Sequence, residues 1–192
     1  MAFHHFAGDG LSRSEKVRLL VVDRLLESNV PDERRESSVQ WELMHSSGVV
    51  QIARMLAQKR GIDEELAVVA SALHDIHVIM EGGYGAHAER GAGIARKLLK
   101  GTGQFGKAEI RSICAAIKNH SSKHKYGKDG LSELVKDADC FDCSLYGDGI
   151  YDDKPAEQLK HYYRRIIRVR EELGLPRKKC FEDRLKALEG AR

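Results

Sequence analysis

Val68-Val69-Ala70-Ser71-Ala72-Leu73-His74-Asp75-Ile76 decides the reading of this chain, because an apolar stretch delivers a histidine and a carboxylate side by side into what must become a core. Just upstream, Leu66, Val69, Ala70 and Leu73 recur at i, i+3, i+4 and i+7, the period of a helix with one buried face. Asp63, after Gly61, is placed to cap that helix. Burying His74 beside Asp75 is costly unless something cationic holds the pair. The stretch therefore predicts a helix that ends at a metal site.

Helical spacing extends in both directions. Val17, Leu20, Val21 and Leu25 follow the cap candidates Ser12 and Ser14 and predict a helix over 12–28. A second is expected over about 33–59, carrying Val39, Leu43, Val50, Ala53 and Leu56 inward together with His45. Gly82-Gly83-Tyr84-Gly85 reads as a loop, and Gly91, Ile94, Ala95 and Leu98 define a helix from near His87 to Gly101. Ile110, Cys114 and Ile117 define another that ends in His120. The polar, basic stretch 121–130 reads as a loop, after which Leu131, Leu134, Val135, Ala138 and Leu145 resume the period around Asp139. A break over 147–153 precedes Pro155, suited to a first helical turn, and Leu159, Tyr162, Tyr163, Ile166 and Ile167 continue from it. Phe181, Leu185 and Leu188 close the chain. Neither strands, internal repeats nor a long linker can be discerned. The expectation is an all-α fold and a single domain over 1–192, with a motif-bearing core at about 33–146 and the helices of 12–28 and 155–190 packed on it.

With 192 residues the chain can bury a sizeable core without structural metal, so a metal here serves chemistry. Its 32 basic and 29 acidic residues are interspersed, and a net +3 is too little for a nucleic-acid footprint. The longest apolar run, 66–73, is too short to span a bilayer. Four irregularly spaced cysteines without a secretory segment before them favour reduced thiols, hence a cytoplasmic location. Oligomeric state stays open. Gly101-Thr102-Gly103-Gln104-Phe105-Gly106 has dinucleotide-fingerprint spacing but follows a helix, and is expected to be a turn. Cys140 and Cys143 lack a second pair and read as plain thiols. Arg164, Arg165, Arg168 and Arg170 read as the solvated side of a helix, and Trp41, Tyr162 and Tyr163 as core. The pair His4-His5 has no assigned role.

Six residues carry the chemistry. Asp139 sits among Val135, Ala138 and Leu145, where a carboxylate needs a cation or a hydrogen-bond network, whereas Asp142 can face solvent. His120 continues the stripe of Ile110, Ile113 and Ile117, which turns its imidazole toward the interior that Asp139 and His45 share. Imidazole and carboxylate together suit Mn, Fe or Zn better than Mg or Ca.

The order His45, His74-Asp75, Asp139 resembles the HD-domain metal-dependent phosphohydrolases, whose pattern is a histidine, a His-Asp doublet and a distant aspartate. Met44-His45-Ser46-Ser47-Gly48-Val49 and Val135-Lys136-Asp137-Ala138-Asp139 are similar to the family's helices around those ligands. The resemblance runs from about His45 to Leu145 and implies an HD-domain-like helical bundle with a metal site in its core. It also implies hydrolysis of a phosphate ester or anhydride, commonly of a nucleotide. His87 and His120 stand where the HD-GYP phosphodiesterases of this family place two further histidines, which implies two metals per chain. Asp75 would then bridge them as the catalytic carboxylate, with His45, His74 and Asp139 on one ion and His87 and His120 on the other. Val78 stands three residues past Asp75, where HD-GYP enzymes have lysine and HD-type deoxyribonucleotidases glutamate, and the GYP motif is missing, so neither substrate carries over. Lys118, Lys123, His124, Arg90 and His77 are the candidate substrate contacts. Two alternatives stay open: a diiron oxygenase on the same fold, and a regulatory nucleotide-binding domain without turnover.

Overall fold

The computed structural model describes residues 10–147 and 154–190; the pair His4-His5 and positions 148–153 of the expected break lie outside them. Among the described residues there are helices and one 3-10 turn, without strands. The helices are α1 (Arg13–Leu26), α2 (Val39–Arg60), α3 (Glu64–Ala72), α4 (Ile76–Glu81), α5 (His87–Thr102), α6 (Lys107–Asn119), α7 (Gly130–Cys143), α8 (Ala156–Glu172) and α9 (Lys179–Gly190). One hydrophobic cluster runs through all of them, from Val17 on α1 to Phe181 on α9. α2 packs along α3 and α7, α5 lies on α4 and α6, and α8 joins α7 to α9. No described helix is long and apolar enough to cross a membrane.

Local chemistry sets the boundaries. Ser12 and Glu15 form a reciprocal capping box on α1, and Ser38, Asp63 and Asp129 each accept a backbone N–H at the start of α2, α3 and α7. The 101–106 segment is a helix-to-helix turn: α5 stops at Thr102 and α6 begins at Lys107.

Three expectations change. The second helix begins at Val39 rather than near 33, because segment 28–36 is fastened to the end of α4 instead. Arg35 donates to the carbonyls of Val30, Val78 and Ile79, and the Glu36 N–H to Gly82 O at 2.8 Å. Gly82 has φ +83, and a Cβ there would meet Val30 Cγ1 at 2.9 Å, so glycine is required at this crossing. Leu43 and Leu145 are exposed rather than inward, the latter because α7 closes at Cys143. The arginine face of α8 is only partly solvated. Arg165 is fully buried and donates to Asp137 at 2.7 Å, to Glu133 at 2.9 Å and to the carbonyls of Lys123 and Lys125. Asp137, buried as well, also accepts from Arg60 and Arg168.

That network holds the 121–129 loop against α7 and α8. Arg165→Ala leaves Asp137 and Glu133 short of their buried cation, so it should cost about 3–5 kcal/mol, the range for removing one partner of a buried pair. Urea denaturation checks this; a loss within experimental error would mean that water replaces the guanidinium freely.

Candidate metal centre

The His74-Asp75 doublet occupies the turn between α3 and α4. Leu73 already leaves helical geometry, the His74 N–H reaches Ser71 O at 3.5 Å, and α4 restarts at Ile76. This break aims both side chains into the space enclosed by α2, α5, α6 and α7. His45 enters from α2, His87 from the first residue of α5, His120 from the end of α6 and Asp139 from α7.

All four imidazoles are oriented alike. Nδ1 of His74 faces Ser71 O at 2.7 Å, that of His87 faces Tyr84 O at 2.7 Å, and that of His120 faces Ile117 O at 2.7 Å. A carbonyl has no proton to give, so each Nδ1 donates, and each Nε2 is left as the atom that offers a lone pair when its ring is neutral. Nδ1 of His45 likewise meets Asp142 Oδ2 at 2.7 Å. The Nε2 atoms then converge in pairs, His45 with His74 at 3.2 Å and His87 with His120 at 3.1 Å.

Asp75 divides its two oxygens between the pairs. Oδ2 lies 3.2 Å from His74 Nε2 and 4.0 Å from His45 Nε2; Oδ1 lies 3.3 Å from His120 Nε2 and 3.5 Å from His87 Nε2. Asp139 Oδ1 completes the first group, 3.5 Å from His45 Nε2. Asp75 Oδ1 is buried without a hydrogen-bond partner, which is costly unless a cation answers it. Lone pairs that face one another around such an oxygen fit divalent metal, and the geometric groupings His45, His74, Asp139 and His74, Asp75, His120 are of metal-holding size.

Electrostatics divide the histidines: against the pull of burial, Asp75 raises His74, and Asp139 and Asp142 raise His45 well above the ordinary imidazole value, so a metal would displace protons from those two rings. Burial opposes ionisation of Asp75, yet His74 and His120 outweigh it and hold the carboxyl well below the usual range. Asp139 is treated the same way by burial against Lys123 and His45. Burial, reinforced by Lys123, pushes His120 down to about 4, which keeps its imidazole neutral as a ligand requires.

A profile of the HD domain matches residues 43–143, just over half of the chain and the span that holds the whole ligand set. The chain belongs to the HD-domain family. The fold is similar to the crystal structure of a predicted HD superfamily hydrolase from an uncultured Thermotogales bacterium, with a TM-score of 0.51 and 22% identity over 83% of this chain and 88% of that one. No curated protein sequence matches significantly.

In this HD domain the six ligand-type residues come together, while the five candidate substrate contacts separate. A cleft of about 470 Å³ opens over the ligands, walled by Trp41, Tyr84, Lys123, Lys154, Gln158 and Tyr162. Of the candidates, Lys123 alone lines it. Lys118 lies two residues before His120, about 200° around α6, and pairs with Glu89 at the surface. His124 is exposed. Arg90 and His77 line a different depression, on the other side of the 82–86 loop, and His77 Nδ1 donates to Gly83 O at 3.1 Å.

Lys123 is no solvated loop residue. It is 5% exposed and its ammonium is ion-paired with Asp139, because Arg165 draws the loop carbonyls inward. Lys123→Met should therefore destabilise the metal-free protein by about 3–5 kcal/mol, and metal on Asp139 should restore much of that. Thermal unfolding with and without metal checks it: an equal loss in both forms would separate Lys123 from the centre.

Sequence reasoning missed several groups. Asp142 is buried on His45 rather than solvent-facing, and its i+3 spacing from Asp139 on α7 was the available signal. Glu42, fully buried, takes Ser37 and Tyr84 on Oε1; burial, with the Asp75 charge added, raises its pKa. Trp41 is a cleft wall stacked on His45 at 5.4 Å rather than plain core.

Proposed function

We propose that this HD domain hydrolyses phosphate esters or anhydrides of a small phosphorylated molecule, a nucleotide being the leading class, with two divalent transition-metal ions bridged by Asp75. The observation that carries the reading is the division of the buried Asp75 carboxylate between two facing histidine pairs. His45, His74 and Asp139 would complete one ion's protein ligands, and His87 and His120 the other's. Ions so held would supply Lewis acidity and a water acidified toward neutral pH.

The protein's own contribution is positional. Carbonyls and Asp142 lock every ring with its Nε2 inward, so little reorganisation is needed when ligand binds. Lys123, held by Asp139, and Lys154 offer positive charge on the cleft wall for phosphate oxygens. Trp41, Tyr84 and Tyr162 restrict water and offer ring faces to an organic moiety, and about 470 Å³ suits a ligand of nucleotide size.

Mn-, Fe- and Zn-loaded protein screened for phosphate release over nucleotides and small esters, with oxygen uptake measured alongside, tests the proposal. Phosphate release that needs metal supports it. Metal-dependent oxygen uptake without phosphate release would replace it with oxygenase chemistry, and saturable nucleotide binding without product would replace it with a regulatory role.

A further inference from the structure

A net charge of +3 conceals an uneven distribution. The hairpin of α5 and α6, residues 87–119, holds seven basic and two acidic residues, a net +5 that leaves the rest of the chain at −2. Both acids are already answered, Glu89 by Lys118 at 2.8 Å and Glu109 by Arg13 at 2.8 Å. The other six cations, Arg90, Arg96, Lys97, Lys100, Lys107 and Arg111, are exposed, and none has an ion pair or side-chain hydrogen bond among the described residues.

Four of them share one seam. The Glu89–Lys118 pair fixes the register of the two antiparallel helices, so Arg96 and Lys100, seven and eleven residues after Glu89, lie opposite Arg111 and Lys107, seven and eleven residues before Lys118. Burial raises Cys114 of α6 and the Arg96 charge opposes it, which places Arg96 toward that helix. Between the ion pair and the four cations stand only Gly93 and Ala115, and a Cβ on Gly93 would touch nothing within 4 Å, so the floor of the seam is low and open.

This clustering costs the hairpin stability. Arg96 repels Lys100 and Lys107 repels Arg111 one turn apart, and Lys107 sits on the positive end of α6. No large hydrophobic side chain of α5 or α6 is exposed, so the seam has neither the apolar anchors of a protein interface nor a face to enter a membrane. It also lacks an exposed ring on which unpaired bases could stack. Unpaired positive charge along a low seam suits a row of phosphates whose bases are turned away.

We propose that the α5–α6 seam binds the sugar-phosphate backbone of a nucleic-acid duplex, with Arg96, Lys100, Lys107 and Arg111 as the phosphate contacts. None of these residues lines the metal cleft, so this proposal and the proposed hydrolysis can fail separately.

Fluorescence anisotropy of the zinc-loaded full chain with short labelled duplexes, DNA and RNA in two unrelated sequences, tests this. Binding should saturate, differ little between the two sequences, and weaken by about 100-fold from about 50 to 200 mM salt, the loss expected for about four phosphates. Arg96→Gln/Arg111→Gln should reduce that salt-dependent loss to about tenfold without lowering the thermal unfolding midpoint, because the charges it removes repel their neighbours. Lys59→Gln/Lys186→Gln removes as much charge from α2 and α9 and should leave binding unchanged. Absent saturation at the lower salt, or equal losses in the two double variants, would overturn the proposal. Binding that Arg96→Gln/Arg111→Gln leaves intact and a mononucleotide displaces would overturn it in favour of the metal cleft, and capture by phosphatidylserine vesicles without duplex binding would overturn it in favour of a lipid surface.

Discussion

Asp75→Ala should leave a helical chain that retains metal at neither position and releases no phosphate above the background rate. Among the described residues Asp75 is the one carboxylate with an oxygen toward each histidine pair, so its loss removes charge from both groups at once. Changing an outer partner of a metal ligand already costs about 10–100-fold in affinity, and losing the shared ligand should exceed ~100-fold. Elemental analysis, circular dichroism and phosphate release on one preparation make the check. A folded Asp75→Ala protein with near-normal metal content would remove the bridging role.

Asp142→Asn should weaken metal binding by about 10–100-fold although Asp142 has no expected contact with metal. Its carboxylate takes the His45 Nδ1–H at 2.7 Å, which fixes the ring and makes Nε2 a better donor. Gly48 makes room for this contact: a Cβ there would lie 1.9 Å from Asp142 Oδ1. Gly48→Ala should therefore push the carboxylate aside and weaken binding in the same direction, by a wholly different substitution. Trp41, the chain's single tryptophan, is stacked on His45, so quenching of its fluorescence by Mn or Fe reads affinity directly. Unchanged titrations for both variants would reduce Asp142 to a packing residue.

What could be read from the residues, and what could not, follows from the range of the interactions involved. His74, Asp75, His120 and Asp139 stood out because each interrupts an apolar stripe, a local signal that periodicity exposes. Most helices were legible for the same reason, since each contributes to a single core, whereas the short α4 was not expected between the His-Asp doublet and the 82–85 loop. Lys123 was not, because a run of Ser, Lys and His has the composition of a solvated loop. Only Arg165, 42 residues on, reaches back to that loop's carbonyls and buries it. Asp142 and Glu42 were missed because a carboxylate at i±3 from a ligand fits the wet face of a helix as well as the buried one. The start of α2 depended on Arg35 finding the end of α4, a contact with no trace in local spacing.

One carboxylate, Asp75, is proposed to span two metal positions. Anomalous diffraction from crystals of the full chain soaked in Mn tests it most directly. Two peaks are expected, both beside Asp75, one shared with His45, His74 and Asp139 and the other with His87 and His120. A single peak at full occupancy under excess Mn, or a peak that does not touch Asp75, would contradict it.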